Sequence, residues 1–288
     1  MQLGVLVSGN LGLIVLKQII ETYSVSFVLT DKQSTSIIDY CTNKNINYFA
    51  GNPRKENILE KLSFPDCDLI VSVNYLFIIE KILIDYPKLM AINFHGSILP
   101  KYRGRTPHVW AIINNETKTG ITSHKIDAGC DTGEIITQKE IAISNTDTGY
   151  SILQKFEAAY PNLVIETIDK IQQNQFSLTQ QNNLLATYFG KRSPKDGLIN
   201  WNWQKERIYN WVRAQAKPYP GAFSFINNKK IIIHKIEFVE IGYHYEQENG
   251  NILFVENNNP VIKTPNGCVK LIDFEFEDAS FIIGNTLV

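Results

Sequence analysis

The 288-residue chain is 44% hydrophobic and 20% charged, with a formal net charge of −1, the balance of a globular protein long enough to bury one large or two modest cores. Near-neutral charge leaves no electrostatic footprint for a long nucleic acid. The apolar opening over residues 1–19 is too short and glycine-broken to span a bilayer and lacks the basic flank and small-residue cleavage site of a signal peptide, so a cytoplasmic protein with no membrane partner is expected.

In chain order, the apolar run Gln2–Val7 precedes Ser8-Gly9-Asn10-Leu11-Gly12 and a helical pattern from Leu13 to Thr22. Val25–Thr30 reads as a second strand, Ser36–Asn43 as a second helix and Asn47–Phe49 as a short strand. A helix over Lys55–Leu62 and strands over Leu69–Val73 and Ala91–His95 continue the alternation, which predicts an α/β fold with a mainly parallel sheet and helices on both faces. A helix after Pro107, a strand pair over Thr119–Asp127 and Glu134–Ile143, and a long amphipathic helix from Thr148 to about Gln173 close this domain.

Composition then shifts through the Gln/Asn-rich 172–183 and the breaker-rich 190–197. A helix over Glu206–Gln215, the turn Lys217–Gly221 and five short β-rich runs follow: Ala222–Ile226, Lys230–Phe238, Asn251–Val255, Pro260–Thr264 and Val269–Phe276. They predict a small barrel or sandwich, with a strand edge as one route to a homodimer. The expected division is a first domain over 1–187, a linker over 188–204 and a β-rich domain over 205–288.

Asn93 and His95 lie two residues apart on the strand that ends at Gly96-Ser97, so their side chains share a side at a C-terminal strand end, where open α/β sheets bind ligands. Pro100 is expected to hold the exit extended. Asp131, in the glycine-flanked loop Gly129–Gly133, is the candidate carboxylate for the imidazole. The structural alternative is a capped strand end with a satisfied histidine, but three polar groups beside two glycine-rich loops favour a site. They suit acyl-type transfer to an amine. The amide N–H stabilises an oxyanion, the imidazole accepts the amine's proton, and the aspartate fixes one tautomer or helps relay the proton.

Ser8, Gly9 and Asn10 form a turn whose amides are expected to face a substrate phosphate. Asp31 ends the second strand and invites a dinucleotide reading, but the Gly9–Gly12 spacing departs from GxGxxG. Lys101, Arg103 and Arg105 follow the site directly and are candidate anion ligands, with a solvated basic loop as the alternative. Cys41, Cys67, Cys130 and Cys268 have no metal spacing, and no metal is expected. Cys130 has no activating neighbour in sequence. Trp201, Trp203 and Trp211 are expected to pack.

Asn93-Phe-His95, Ile98-Leu-Pro-Lys-Tyr-Arg-Gly104 and Asp127-Ala-Gly-Cys-Asp-Thr-Gly133 resemble the motifs of the N10-formyltetrahydrofolate-dependent formyltransferases, Asp131 matching the family's aspartate. The resemblance covers roughly the first 185 residues and extends more weakly through 188–197 and 217–223. It implies a Rossmann-like catalytic domain, a small OB-like C-terminal domain, and N10-formyltetrahydrofolate as co-substrate with no metal. The pterin would lie beside Asn74, Tyr75, Leu76, Phe77 and Ile78 and the loop from Asp127.

Among acceptors, a methionyl-tRNA formyltransferase needs basic phosphate contacts. Here no insertion follows the second strand, and Glu246, Glu248, Glu256, Asp273, Glu275, Glu277 and Asp278 outnumber Lys263 and Lys270 after residue 242. Glycinamide ribonucleotide formyltransferases are usually single-domain and leave the last hundred residues unexplained. The loop Lys101–Pro107 resembles the enzymes that formylate nucleotide-linked amino sugars of bacterial surface glycans, aminoarabinose-modifying ones included. The expected acceptor is a UDP- or dTDP-linked 4-amino-4,6-dideoxy sugar, a pseudaminic-acid-type intermediate first among UDP sugars. A folate- or nucleotide-sugar-binding protein without turnover is the non-enzymatic alternative.

Overall fold

The computed structural model describes residues 1–55, 65–277 and 281–288. The chain divides into two compact units, one of 1–104, 119–141 and 155–189, the other of 105–118, 142–154 and 190–288.

The first unit is built on strands β1 (Gln2–Val7), β2 (Ser24–Thr30), β3 (Tyr48–Ala50), β4 (Leu69–Val73), β5 (Met90–His95), β7 (Lys118–Lys125) and β8 (Ile135–Ala142). Among the described residues they form a seven-stranded sheet in the order β3-β2-β1-β4-β5-β7-β8. The β1–β2, β2–β3, β1–β4 and β4–β5 pairs are parallel and β5–β7 is antiparallel. The sheet centre explains the continuous apolar runs. Leu3, Val5, Leu6 and Val7 of β1 and Leu69, Ile70, Val71 and Val73 of β4 are fully buried, as strands covered on both faces must be.

Helix α1 (Gly9–Thr22) buries Leu11, Gly12, Val15, Leu16 and Ile19, an i, i+4, i+8 stripe. Helix α2 (Thr35–Asn43) buries Ile37 and Cys41. The expected helix over 55–62 lies outside the described residues beyond Lys55, which ends a single 3-10 turn, Pro53–Lys55. A four-residue helix α3 (Lys81–Ile84) and the two-stranded ribbon of β6 (Arg103–Gly104) with β9 (Tyr188–Phe189) were not foreseen, because pieces this short leave no periodicity to read. Chain order reverses between β1 and β4. There Asn74, in the left-handed region at φ +54, donates from Nδ2 to the Ser8 carbonyl at 2.9 Å.

The second unit holds α4 (Pro107–Ile113), which starts with Pro107 in its first turn and packs on α6 (Lys205–Ala214). Asn210 of α6 donates to Asn115 at 3.0 Å. Arg213 donates to the Ser144 and Asp147 carbonyls at 3.1 and 2.6 Å, which is how 105–118 and 142–154 come into this unit. The long helix α5 (Gly149–Gln172) begins here and continues in the first unit.

Strands β10 (Ala222–Ile226), β11 (Lys229–Val239), β12 (Ile252–Glu256), β13 (Asn259–Thr264) and β14 (Gly267–Glu275) form an antiparallel sheet in the order β10-β11-β14-β13-β12. The tail bonds to both end strands. Val288 exchanges backbone hydrogen bonds with Phe225, and Ile252 donates to Asn285 while accepting from Gly284. This occupies part of the edge expected to be open to a second copy. The tryptophans pack as expected: Trp203 lies edge-on to Trp211 at 4.9 Å, and Trp201 donates to Ser224 at 2.9 Å.

Candidate active site

Strand β5 carries Asn93 and His95 to the C-terminal end of the parallel sheet. Gly96 sits under Phe156 and Tyr160 of α5, where a Cβ would lie 2.8 Å from the Phe156 ring. The chain turns immediately, Ser97 N–H donating to the His95 carbonyl at 3.0 Å and Ser97 Oγ to the Lys101 carbonyl at 2.7 Å. The Lys101 N–H donates to the Ile98 carbonyl at 3.2 Å, so the exit is a tight turn and not the extended segment expected from Pro100.

The tight turn brings the Tyr102 carbonyl back to His95 Nε2 at 2.7 Å. A carbonyl only accepts, so Nε2 carries the proton and the lone pair is on Nδ1. Nδ1 lies 3.6 Å from Asp131 Oδ2, beyond direct hydrogen-bond range but close in charge terms. The same Oδ2 accepts the Gly104 N–H at 2.9 Å.

A fourth group completes the cluster. In the β5–β7 register His124 faces Asn93. Its Nδ1–H donates to the Lys125 carbonyl at 2.9 Å, so Nε2 accepts from the Asn93 amide at 3.2 Å. That nitrogen is also 3.6 Å from Asp131 Oδ1. His124 fixes which way the Asn93 amide points. The sequence reading missed it, because Thr122-Ser123-His124 is an ordinary strand stretch and only the antiparallel register brings it opposite Asn93.

Burial pushes the His95 imidazole below its ordinary value, outweighing the upward pull of Asp131 and the Tyr102 carbonyl. Burial acts to raise Asp131, but His95, His124 and the Gly104 amide together hold it well below the usual carboxylate range. At neutral pH the site therefore pairs a neutral imidazole with an ionised carboxylate, the arrangement a general base requires. The three residues singled out from sequence are brought together.

Asp131 stands in the left-handed region at φ +55. Two residues on, a Cβ at Gly133 would fall 1.9 Å from the Lys125 carbonyl oxygen, so only glycine fits. Asp127 Oδ1 accepts the Gly129 N–H at 3.0 Å and the Thr132 hydroxyl at 2.6 Å, and its side chain thus shapes the loop. In the segment after β4, Tyr75 and Phe77 turn inward with rings edge to face at 5.5 Å. Leu76 and Ile78 are 41% and 66% exposed, an apolar shelf.

Two expectations are corrected. Arg103, read as an anion ligand, is 0% exposed. Its guanidinium donates to Gln181 Oε1 from Nε and Nη2 at 3.1 and 2.6 Å, to the Tyr188 hydroxyl at 2.5 Å and to Asn183 at 2.9 Å. It is an internal strut, whereas Lys101 and Arg105 are exposed. At the start of α1, the Gly9 N–H expected to meet phosphate donates to Ser34 Oγ at 2.9 Å, which in turn donates to Asp31 at 2.6 Å. Asn10 donates to Glu157 at 2.8 Å, and Ser8 is buried. Asp31 also accepts the Gln33 N–H at 2.8 Å, so its carboxylate is engaged within its own turn and not offered to a ribose.

The second unit contains a cavity of about 240 Å³ lined by, among others, His108, Val109, Arg192, Gln215 and Tyr219. Desolvation pushes the His108 imidazole down to about 4, so it is neutral, and its Nε2 is 3.3 Å from the Tyr219 hydroxyl. Arg192 lies over the Trp211 and Trp110 rings at 4.3 and 5.0 Å and donates to Asp196 O and Gln215 Oε1 at 2.8 and 3.1 Å. No sequence signal had set Arg192 apart from the other polar connector residues.

Residues 7–168 match the family described as Formyl transferase, and residues 191–284 match Formyl transferase, C-terminal domain. The chain is 40% identical over 219 residues, 76% of its length, to a bifunctional polymyxin resistance protein ArnA of Wigglesworthia glossinidia brevipalpis. It spans 32% of that relative's length. Among solved structures it is similar to an N-formyltransferase from Helicobacter canadensis in complex with folinic acid and dTDP-3-aminofucose (TM-score 0.71, 24% identity, 95% of this chain and 99% of that one). It is also similar to WlaRD, a sugar 3N-formyl transferase in the presence of dTDP and 5-N-formyl-THF (TM-score 0.68, 22% identity, 94% and 97%).

Proposed function

The chain belongs to the formyl transferase family, and from that premise we propose that it moves a formyl group from N10-formyltetrahydrofolate to the amine of a nucleotide-linked amino sugar. The observation that carries the reading is the neutral His95 imidazole, its Nδ1 lone pair 3.6 Å from the Asp131 carboxylate, beside an amide already oriented by His124. The sugar amine attacks the formyl carbon, forming a C–N bond and a tetrahedral oxyanion. Asn93 stabilises it through the N–H that His124 does not hold. The amine's proton passes to His95 Nδ1, where Asp131 stabilises the new positive charge. The bond to N10 then breaks, and N10 takes that proton from His95, which returns to its neutral form as tetrahydrofolate leaves. Leu76 and Ile78, backed by Tyr75 and Phe77, together with the loop from Asp127, would hold the pterin.

Charge supports the sugar acceptor over tRNA. Of the two lysines after residue 242, Lys270 pairs with Glu256 at 2.9 Å. Lys263 is buried and donates to Asn249 at 2.9 Å. After residue 242 carboxylates thus outnumber the two engaged lysines, a poor match for a polyanion, and the exposed lysines of the sheet are confined to β11 at Lys229, Lys230 and Lys235. A diphosphate needs fewer cations, and Lys101 and Arg105 are assigned to it. The relative in complex with dTDP-3-aminofucose supports the acceptor class, so the amine on C3 belongs in any test beside the expected 4-amino-4,6-dideoxy sugar.

Among the described residues no three His, Cys, Asp or Glu side chains gather as a metal site, and no helix is long and apolar enough to cross a membrane. Cytoplasmic location and a homodimer complete the proposal; light scattering reads the second, and a single-chain mass would refute it.

The test is mass spectrometry of purified protein with N10-formyltetrahydrofolate and a panel of UDP- and dTDP-linked 3-amino and 4-amino sugars, with Met-tRNA alongside. One formyl group gained by one sugar is expected. Formylation of tRNA alone refutes the acceptor, and binding of sugar nucleotide without turnover refutes the enzyme.

A further inference from the structure

The loop that carries Asp131 has a second support behind it, from a residue far along the chain. Gln181 lies in the segment between α5 and β9, registered against the start of β8 by reciprocal Ile135–Thr179 backbone bonds of 2.8 and 2.9 Å. It is 9% exposed, and its amide is bonded on every side. Nε2 donates to the carbonyls of Asp131 and Gly133 at 2.9 and 2.7 Å. Oε1 accepts two N–H groups of Arg103. Reversing the amide would set donor against donor and acceptor against acceptor, so these partners allow one orientation.

The bonds form a ring. Asp131 Oδ2 accepts from Gly104 N–H, Gly104 is joined covalently to Arg103, Arg103 holds Gln181, and Gln181 holds the Asp131 carbonyl. Main chain and carboxylate of one left-handed residue are thereby fixed to the same short strand, β6. A non-glycine residue in that conformation is held there only if its surroundings determine it. We infer that Gln181, braced by the buried Arg103, is a positioning residue that sets the Asp131 carboxylate against His95. The inference rests on the formyl-transfer reading for its kinetic consequence, but its structural half does not.

Two variants test it in the full chain. Gln181→Met keeps bulk and removes all four hydrogen bonds, while Gln181→Glu keeps the acceptor for Arg103 and removes both donors to the loop. Each is expected to lower kcat at least tenfold with KM for the acceptor within twofold, and any rise in KM for the donor, whose pterin is assigned to the same loop, smaller than the fall in kcat. Hydrogen exchange supplies a readout free of turnover. The Gly104 amide, bonded to Asp131, should exchange at least tenfold faster, while that of Val71 in the sheet centre stays unchanged. Gly104 exchange at the wild-type rate in both variants overturns the inference, as does parallel acceleration of Gly104 and Val71, which marks general loosening. Wild-type kcat in either variant also overturns it. A wild-type protein that formylates no acceptor refutes the functional reading instead, and the exchange rates still decide whether Gln181 holds the loop.

Discussion

Replacing Asp131 with Asn removes one charge and little else. An amide oxygen still accepts the Gly104 N–H that the carboxylate accepts at 2.9 Å, so a folded variant is expected, with an unchanged circular dichroism spectrum as the control. In the proposed transfer, what is lost is attraction between the carboxylate and the imidazolium formed when His95 takes the amine's proton. At the 3.6 Å separation, Coulomb's law gives about 1.2 kcal/mol in bulk water and about 4.6 kcal/mol at an effective dielectric of about 20. His95 and Asp131 are both largely buried, with side chains 8% and 13% exposed, which favours the upper part of that range. At about 1.4 kcal/mol per tenfold, kcat should fall by between about 10-fold and about 10³-fold, with KM nearly constant because the imidazole is neutral in the ground state. Asp131 also raises the His95 pKa against the effect of burial, so the acid limb of the kcat profile must move to lower pH in the variant. The assay is formyl transfer by mass spectrometry across pH. A variant with kcat within about threefold of wild type, or with an unmoved acid limb, would refute the electrostatic argument.

Other consequences follow from the same contacts. His95→Asn removes the proton acceptor and should lower kcat by about 10² or more, with Kd for folinic acid unchanged by calorimetry. Arg103→Met leaves Gln181, Asn183 and Tyr188 without their donor and should cost about 2–4 kcal/mol in urea unfolding, whereas a surface ligand would change only KM. Arg105→Ala and Lys101→Ala should raise KM for the sugar nucleotide about tenfold at low salt and less at high salt, with kcat retained. Stability should fall on acidification. The folded His95 binds its proton less readily than the unfolded chain, whose imidazole titrates near 6.5, so stability is lost as pH drops below that value. Asp131, held below its ordinary 3.8, adds a further loss as pH falls past 3.8. Thermal melts from pH 7 to 3 read both, and a flat Tm over that range contradicts them.

How far the sequence reached depends on the range of each interaction. Period-two apolar runs and 3.6-residue stripes are local, so β1, β4, β10 and α1 were legible to within a few residues, and Asn93 and His95 could be paired from their spacing alone. Asp131 was found because glycines frame it. His124 and Gln181 were not found, since nothing local distinguishes them: one acquires its role from the β5–β7 register, the other from a segment fifty residues beyond the loop it holds. Arg103 was misassigned for the converse reason. A run of Lys-Tyr-Arg-Gly-Arg looks like an anion loop, yet β6 pairs with β9 and carries the middle cation inside among neutral acceptors. A side-chain acceptor also overrode the helix-start reading at Gly9, because the Ser34 hydroxyl at the start of α2 takes that amide.

The tautomer of His95 joins these observations to the chemistry. With Nε2–H held by the Tyr102 carbonyl, the imidazole can accept a proton only at Nδ1, on the side facing Asp131. Direction is thus set by the turn after β5, not by the carboxylate, whose contribution is energetic and appears only once the ring is charged. Asn93 is divided in the same way: one N–H is given to His124, so the other is fixed in space before any substrate arrives. A site arranged so that amide, lone pair and carboxylate are all set in advance by neutral backbone and imidazole partners loses little to reorganisation when charge develops. The arrangement suits a reaction in which an oxyanion and an ammonium proton appear together, as in the acyl transfer to an amine proposed above.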